Sequence, residues 1–171
     1  IPHVEYELAH EFEGELAIQP GVICPTFVPR PLVLILGNQL LFMRDESYPA
    51  QAIEKYGIRA YTVDAVANIV PLLELPGPEW MASTPAEIKT SLGVFIGYMM
   101  LDAWVANQDR HHQNWGATWL EPDLRLAPTF DHGASLARNL SDEERKDRLR
   151  TRDKNRSVER FAERARSGFY A

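Results

Sequence analysis

Two segments of the sequence decide the fold. The first reads Asp-Arg-His-His-Gln-Asn at residues 109–114, and the second reads Leu-Ala-Pro-Thr-Phe-Asp-His-Gly at residues 126–133. The residues between them predict two short strands, 115–120 and 124–126, with a turn at Glu-Pro-Asp, residues 121–123. The polar hexapeptide therefore forms a loop before a β-hairpin, and an acidic residue followed by His-Gly comes just after it.

A long helix is predicted immediately upstream of this loop. Thr84 and Glu87 have the spacing of a capping box, with Pro85 at the first helical position. Apolar residues then recur at helical spacing to about Asn107, which predicts a buried helix over residues 85–107. Along the chain, the predicted elements thus follow the order buried helix, polar loop, β-hairpin and aspartate.

Two aspartates and one asparagine in these segments match the needs of phosphoryl transfer. That reaction requires a carboxylate to orient and deprotonate the attacking hydroxyl, and oxygen ligands for Mg²⁺ on the nucleotide phosphates. We assign Asp109 as the base, Asn114 as a metal ligand and Asp131 as the main metal ligand. Oxygen ligands of this kind favour Mg²⁺, whereas zinc would favour the histidines.

Asp-Arg-His-x-x-Asn after a buried helix, followed by Ala-Pro-x-Phe-Asp-x-Gly, resembles the HipA-like kinases, which share this loop pattern with the phosphoinositide kinases. Residues 4–9 resemble the family's small-lobe helix, and residues 166–170 resemble a feature that follows its metal-binding segment. The resemblance implies a serine/threonine protein kinase that uses ATP and Mg²⁺. It also implies a protein substrate and, as in the toxin members, a small DNA-binding antitoxin as partner.

The same resemblance extends the candidate site. It places the adenine-contacting connection at residues 43–46, with Met43, Asp45 and Glu46 as cofactor-binding residues beside Asn114 and Asp131. His111 joins Asp109 in the catalytic loop, where its ring is expected to brace the loop and the Asp131 segment through hydrogen bonds.

The sequence defines the roles of three further side chains, Arg110, His112 and His132, less clearly. Arg110 could offset the charge between the two aspartates or anchor a phosphate, whereas His112 and His132 are expected to be solvated. Two other functions stay open. One is a non-catalytic, pseudokinase-type binding module, and the other is a metal-dependent phosphohydrolase of the His-Asp type.

The remaining elements predict an α+β, protein-kinase-like fold with a partial small lobe over residues 1–45 and a mostly helical large lobe over residues 46–171. In the small lobe, a helix is predicted over residues 2–12 from Val4, Leu8 and Phe12, and a hairpin from strands at residues 32–36 and 39–43. In the large lobe, helices are predicted at residues 50–56 and 63–73.

Composition excludes several classes of protein. The chain has 171 residues and a net charge of −6, which disfavours direct binding to nucleic acid or a membrane surface. It contains no apolar run long enough to cross a bilayer, and its single cysteine fits a reducing, cytoplasmic setting. Residues 137–171 carry eleven basic against seven acidic side chains, and interleaving of the two favours a solvated helical face.

The chain begins with Ile1, and its lysines all lie downstream of the predicted small-lobe helix. Kinases of this type use a phosphate-covering loop and a strand lysine upstream of that helix. The sequence is therefore expected to be a fragment that lacks the N-terminal part of the small lobe.

Overall fold

The computed structural model describes residues 1–14, 16–51, 56–165 and 168–169. Its strands are β1 (Glu7–Glu13), β2 (Leu16–Ile23), β3 (Val33–Leu36), β4 (Gly116–Leu120) and β5 (Asp123–Leu126). Its helices are α1 (Gly37–Arg44), α2 (Val63–Ala67), α3 (Pro78–Met81), α4 (Ser91–Trp104), α5 (Asp142–Arg150) and α6 (Val158–Arg164), with a 3₁₀ turn at Val70–Leu72.

A three-stranded antiparallel sheet carries the candidate site, in the order β3-β4-β5. The hairpin β4-β5 confirms the two strands predicted at residues 115–120 and 124–126. Strand β3 pairs along the other side of β4, with Val33 opposite Trp119 and Leu36 opposite Gly116. Because β4 follows the polar loop directly, this sheet fixes the position at which the loop ends.

Helix α4 confirms the long helix before the loop, but it begins later than predicted. Thr90, not Thr84, is its N-cap, and the Thr90 hydroxyl accepts a hydrogen bond from the Gly93 backbone N–H at 3.0 Å. Its buried positions are Ser91, Val94, Phe95, Tyr98 and Asp102. A carboxylate therefore lies on the same buried face as the apolar residues.

The helix predicted over residues 2–12 is wrong. Residues 7–13 form β1, which pairs antiparallel with β2, and Gly14 takes the left-handed conformation between them with a φ of 62°. Val4 is buried, but Leu8 and Phe12 are exposed. A spacing of four residues fits both a helix and the two-residue alternation of a strand, so these three residues did not distinguish the two structures.

The hairpin predicted from residues 32–36 and 39–43 is also wrong in its second half. The first strand is confirmed as β3, but residues 37–44 form helix α1. The backbone N–H groups of Gly37 and Asn38 donate to the Trp115 carbonyl at 2.8 Å and the His112 carbonyl at 2.7 Å. These bonds turn the chain beneath the polar loop, and helix α1 then buries Leu40 and Leu41 in the core.

The core gathers side chains from α1, α4, the sheet and the chain between α1 and α4. Tyr48, Tyr61, Phe95, Tyr98 and Trp115 are its large aromatic members, and Phe95 meets Trp115 edge-on at 5.3 Å between ring centroids. The helix predicted at residues 63–73 is split into α2 and the 3₁₀ turn. Residues 52–55 of the helix predicted at 50–56 lie outside the described residues, as do residues 166, 167 and 170 of the C-terminal motif.

The C-terminal segment contains α5 and α6. Charged side chains within this segment form ion pairs. Arg145 pairs with Asp142, Arg156 with Asp147 at 2.6 Å and Arg160 with Glu163 at 2.9 Å. This is the solvated, interleaved face that the sequence predicts. None of the described helices has the length and apolar character needed to cross a bilayer.

Candidate active site

The polar loop is anchored to the end of α4 by a chain of short-range hydrogen bonds. Ala106 is left-handed with a φ of 50°, and the Asn107 backbone N–H then donates back to the Asp102 carbonyl at 2.8 Å. The Asn107 side-chain amide donates to the Asp102 carboxylate at 2.8 Å, and its oxygen accepts from the Asp109 backbone N–H at 3.2 Å. The helix end thus sets the position of Asp109.

Arg110 forms the centre of the site's framework. Its side chain is 1% exposed, and two of its nitrogens bond the Asp102 carboxylate, Nε to Oδ2 at 2.7 Å and Nη2 to Oδ1 at 2.8 Å. Nη2 also donates to the Thr129 hydroxyl at 2.8 Å. Nη1 donates to the carbonyls of Asn114 and Phe130. One guanidinium therefore joins helix α4, the loop and the segment that leads into Asp131.

This arrangement differs from both predicted roles of Arg110. The guanidinium is buried and paired with the Asp102 carboxylate, a partner that neither role includes. Sequence reasoning missed Asp102 altogether. The available signal was its spacing, because Val94, Tyr98 and Asp102 recur every four residues on one face of α4.

Asp109 lies at the edge of the buried framework, with its side chain 27% exposed. Its Oδ1 accepts a hydrogen bond from the Tyr56 hydroxyl and lies 3.7 Å from Nε2 of His111. His111 is 2% exposed, and its Nδ1 accepts from the Gln113 backbone N–H at 3.1 Å. The His111 ring thus accepts a hydrogen bond within the loop, and Arg110 donates to Thr129 and Phe130, in the segment before Asp131.

Asn114 is buried at the end of the loop. Its side-chain amide nitrogen donates to the Asp109 carbonyl at 2.8 Å, which orients the amide and leaves its oxygen as the acceptor for a further ligand. The Asn114 backbone N–H donates to the His111 carbonyl at 3.0 Å. Asp109 and Asn114 are therefore linked directly, five residues apart, across one turn of the loop.

Asp131 is exposed just beyond the hairpin, in the left-handed conformation with a φ of 55°. Its backbone N–H donates to the Tyr6 hydroxyl at 3.0 Å. Residues 2–4 run beside Thr129, whose N–H donates to the Pro2 carbonyl and whose carbonyl accepts from the Val4 N–H. The segment predicted as a small-lobe helix thus serves instead as a support for Asp131.

An open cleft of about 750 Å³ brings the two aspartates together. Asp109 and Asp131 both line it, one from the loop and one from the segment after the hairpin. Strand β2 lines it through Pro20, Gly21 and Val22, and the segment after Asp131 lines it through Gly133, Ala134, Arg138 and Asn139. Asn114 is not among the residues that line it.

Two of the histidines are less solvated than predicted. His112 is fully buried, and its Nδ1 is hydrogen-bonded to the Tyr48 hydroxyl at 2.8 Å. His132 is partly buried, with Nε2 at 3.0 Å from the Thr129 hydroxyl. Burial lowers the pKa of both rings. Within the described residues, no three or more His, Cys, Asp or Glu side chains are grouped to hold a metal ion.

The three residues predicted to contact adenine lie at the end of α1. Met43 is exposed on the last turn, and the Asp45 carboxylate accepts from the Ser47 hydroxyl at 2.6 Å and the Ser47 N–H at 2.9 Å. Glu46 is exposed beside them. None of the three lines the cleft that contains Asp109 and Asp131. The adenine contact at this place stays a prediction.

The contact with Asp109 changes the pKa of Tyr56. The hydrogen bond to Asp109, with a smaller contribution from burial, raises the pKa of Tyr56 to about 12. The folded state thus favours the protonated phenol, and this contribution to stability is present below the usual pKa of about 10 and is lost as the pH rises through about 12. We expect the substitution Asp109→Asn to move the Tyr56 pKa back towards about 10.

NMR titration of protein labelled at the tyrosine ring carbons measures this shift. Tyr48 is the internal control, because burial alone raises its pKa and Asp109 does not contact it. A Tyr56 that ionises at the same pH in the wild type and in Asp109→Asn would contradict the contact.

The overall arrangement is similar to a kinase of known structure. The structure matches the crystal structure of a Helicobacter pylori proinflammatory kinase, CtkA, with a TM-score of 0.57 and 16% sequence identity. The match covers 86% of this chain and 46% of the kinase, so the chain spans about half the length of that protein. No protein-family model and no curated protein sequence matches the chain. The chain therefore has a kinase-like fold.

Proposed function

We propose that this chain carries the phosphoryl-transfer site of an ATP-dependent kinase. The observation that supports it is the pair of carboxylates, Asp109 and Asp131, that line one open cleft in a kinase-like fold. Each is held by backbone hydrogen bonds, to Asn107 and Tyr6 respectively. Phosphoryl transfer depends on orientation of the reactants and on charge stabilisation, so it requires carboxylates held in position around a cleft that substrates can enter.

The donor atoms fit Mg²⁺. Asp131 offers an exposed carboxylate, and Asn114 offers the amide oxygen that its bond to the Asp109 carbonyl leaves available. These are hard oxygen donors, and Mg²⁺ is typically held by few protein ligands and several waters. Bound there, Mg²⁺ would neutralise charge on the phosphates of ATP.

Asp109 is suited to act as the base. The acceptor hydroxyl oxygen attacks the γ-phosphorus, the bond to the β,γ-bridging oxygen breaks, ADP leaves with that electron pair, and the hydroxyl proton passes to the Asp109 carboxylate. The Tyr56 hydroxyl already donates a hydrogen bond to Oδ1 of Asp109.

The finer assignments rest on the sequence resemblance to the HipA-like kinases. It supports a serine or threonine hydroxyl of a protein as the acceptor and a small DNA-binding antitoxin as the partner. The single cysteine supports a cytoplasmic location. Because the chain spans about half the length of the kinase it matches, these properties of a whole protein are part of the proposal.

The substitution Asp109→Asn tests the proposed reaction. We expect Asp109→Asn to slow transfer of the γ-phosphoryl group from radiolabelled ATP to casein by about 10²- to 10⁴-fold relative to the wild type, because the amide cannot accept the proton. Binding of MgATP should change little, since Asp109 is not assigned to the metal. The matched control is Asp123→Asn, at a surface ion pair on β5 with Arg125.

The contrary results are equally specific. Absence of phosphoryl transfer by the wild type, with MgATP still bound, would contradict the proposed kinase activity and favour the non-catalytic binding module. Equal transfer rates in the wild type and Asp109→Asn would show that Asp109 is not the base.

A further inference from the structure

Arg138 is the cationic side chain among the residues that line the Asp109–Asp131 cleft. It lies seven residues beyond Asp131, on the segment that leads to α5, and it is exposed. The ion pairs of the described residues do not include it. The guanidinium group is therefore available to a ligand in the cleft, in contrast to that of Arg110.

The backbone before Arg138 holds an unusual conformation. Leu136 and Ala137 are both left-handed, with φ values of 54° and 58°. Two successive non-glycine residues in this region carry strain that surrounding contacts must offset, and such strain is concentrated at functional segments.

Those contacts are present. The Leu136 N–H donates to the Val105 carbonyl at the end of α4 at 2.8 Å, and Nη1 of Arg145 donates to the Ala137 carbonyl at 3.3 Å. The Arg138 N–H closes the turn by donating to the Ser135 carbonyl at 3.1 Å. Arg138 is thus placed relative to the same helix end that positions Asp109.

We propose that Arg138 binds the γ-phosphate of ATP in this cleft. The inference rests on the proposed function, which places the γ-phosphoryl group between Asp131 and Asp109. Arg138 lines the same volume as both carboxylates, so the group that passes between them comes within reach of its side chain. A planar guanidinium can donate two parallel hydrogen bonds to phosphate oxygens, and it balances charge that builds up during transfer.

The charge of the cleft requires a positive group beside the terminal phosphate of ATP. Its lining contains the two acidic side chains and one cation, so ATP without a positive partner at its terminal phosphate would face two carboxylates. Magnesium at Asp131 would offset part of that repulsion. Arg138 supplies a second positive charge from the segment that follows Asp131.

Comparison of ATP with ADP tests the assignment, because ADP lacks the γ-phosphate. By calorimetry in Mg²⁺, we expect Arg138→Ala to weaken ATP binding by about 10- to 100-fold and ADP binding by about threefold or less. Arg138→Lys should keep part of the preference for ATP, since the charge remains and the two-pronged geometry is lost. Arg150→Ala removes an exposed arginine of α5 outside the cleft and should leave both affinities unchanged.

The outcomes separate this inference from the proposed function. If the wild type binds neither nucleotide, the proposed function fails, and the assignment of Arg138 fails with it. If the wild type binds MgATP but Arg138→Ala weakens ATP and ADP equally, or weakens neither, the proposed function stands and the γ-phosphate contact is wrong. Circular dichroism and thermal melting of each variant confirm that the affinities refer to folded protein.

Discussion

Replacement of Asp102 with alanine is expected to lower the free energy of unfolding by about 3–5 kcal/mol. The reason is that Arg110, at 1% exposure, would remain in the core with its charge uncompensated. Its guanidinium also joins α4 to the Asn114 carbonyl and the Thr129 hydroxyl, so the loss would spread through the site. Urea denaturation followed by far-ultraviolet circular dichroism measures the effect.

The ion pair of Arg125 provides the matched control. Its side chain is 36% exposed and bonds Glu74 at 2.8 Å and Asp123 at 2.9 Å on the surface of the sheet. Arg125→Ala should cost about 1 kcal/mol or less, because solvent screens this network. Equal losses of stability for Asp102→Ala and Arg125→Ala would contradict the central role given to the Arg110–Asp102 pair.

A second variant separates charge from packing. Asp102→Asn retains nearly the same shape and can still accept a hydrogen bond, but it leaves the guanidinium without a counter-charge. We expect it to lose most of the stability that Asp102→Ala loses. A variant that behaves like the wild type would show that the hydrogen bonds, and not the charge, hold Arg110 in place.

The sequence predicts the region around the site well and the N-terminal third poorly, for a physical reason. Helix α4, the polar loop and the hairpin β4-β5 are local structures, with apolar spacing and turn residues that act within a few positions. The order of these elements then leads directly to the cleft at Asp109 and Asp131.

The first strand shows why the N-terminal prediction failed. Val4, Tyr6, Leu8, His10 and Phe12 alternate with a series that is mostly glutamate, which is the pattern of a strand with two distinct faces. Taking every fourth residue hides that alternation. Pairing with β2 across Gly14 decides between the two interpretations.

The prediction of a strand at residues 39–43, where the structure has helix α1, failed for a different reason. A short apolar run such as residues 39–43 is compatible with a strand or a buried helix, and periodicity cannot separate them. The decision comes from distant residues, because the carbonyls of His112 and Trp115 accept the first two N–H groups of the helix. The pairing of Arg110 with Asp102 was likewise hidden, since it joins a loop to the inner face of a helix.

The largest effect on nucleotide binding is expected from Asp131→Asn. Asparagine tolerates the left-handed conformation that Asp131 adopts, with a φ of 55°, so the backbone should be preserved while the carboxylate is lost. Without that carboxylate, Mg²⁺ loses its charged protein ligand, and the affinity for MgATP should fall by at least about 100-fold. Asp131→Ala is the less informative variant, because it adds backbone strain.

Magnesium removal should reproduce this loss. In the presence of EDTA, the wild type should bind ATP as weakly as Asp131→Asn does with Mg²⁺, and EDTA should have little further effect on the variant. Asp123→Asn is again the control, because Asp123 pairs with Arg125 on β5 and does not line the cleft. A large further loss of affinity in the variant on addition of EDTA would mean that the metal is held elsewhere.

The most direct test of the account is the calorimetric titration of MgATP into the wild type and into Asp131→Asn under identical conditions. The account predicts measurable binding by the wild type at one site per chain, and a dissociation constant at least about 100-fold higher for the variant. Binding of equal strength by the two proteins, or no binding by the wild type, would contradict the assignment of the Asp109–Asp131 cleft as a nucleotide site.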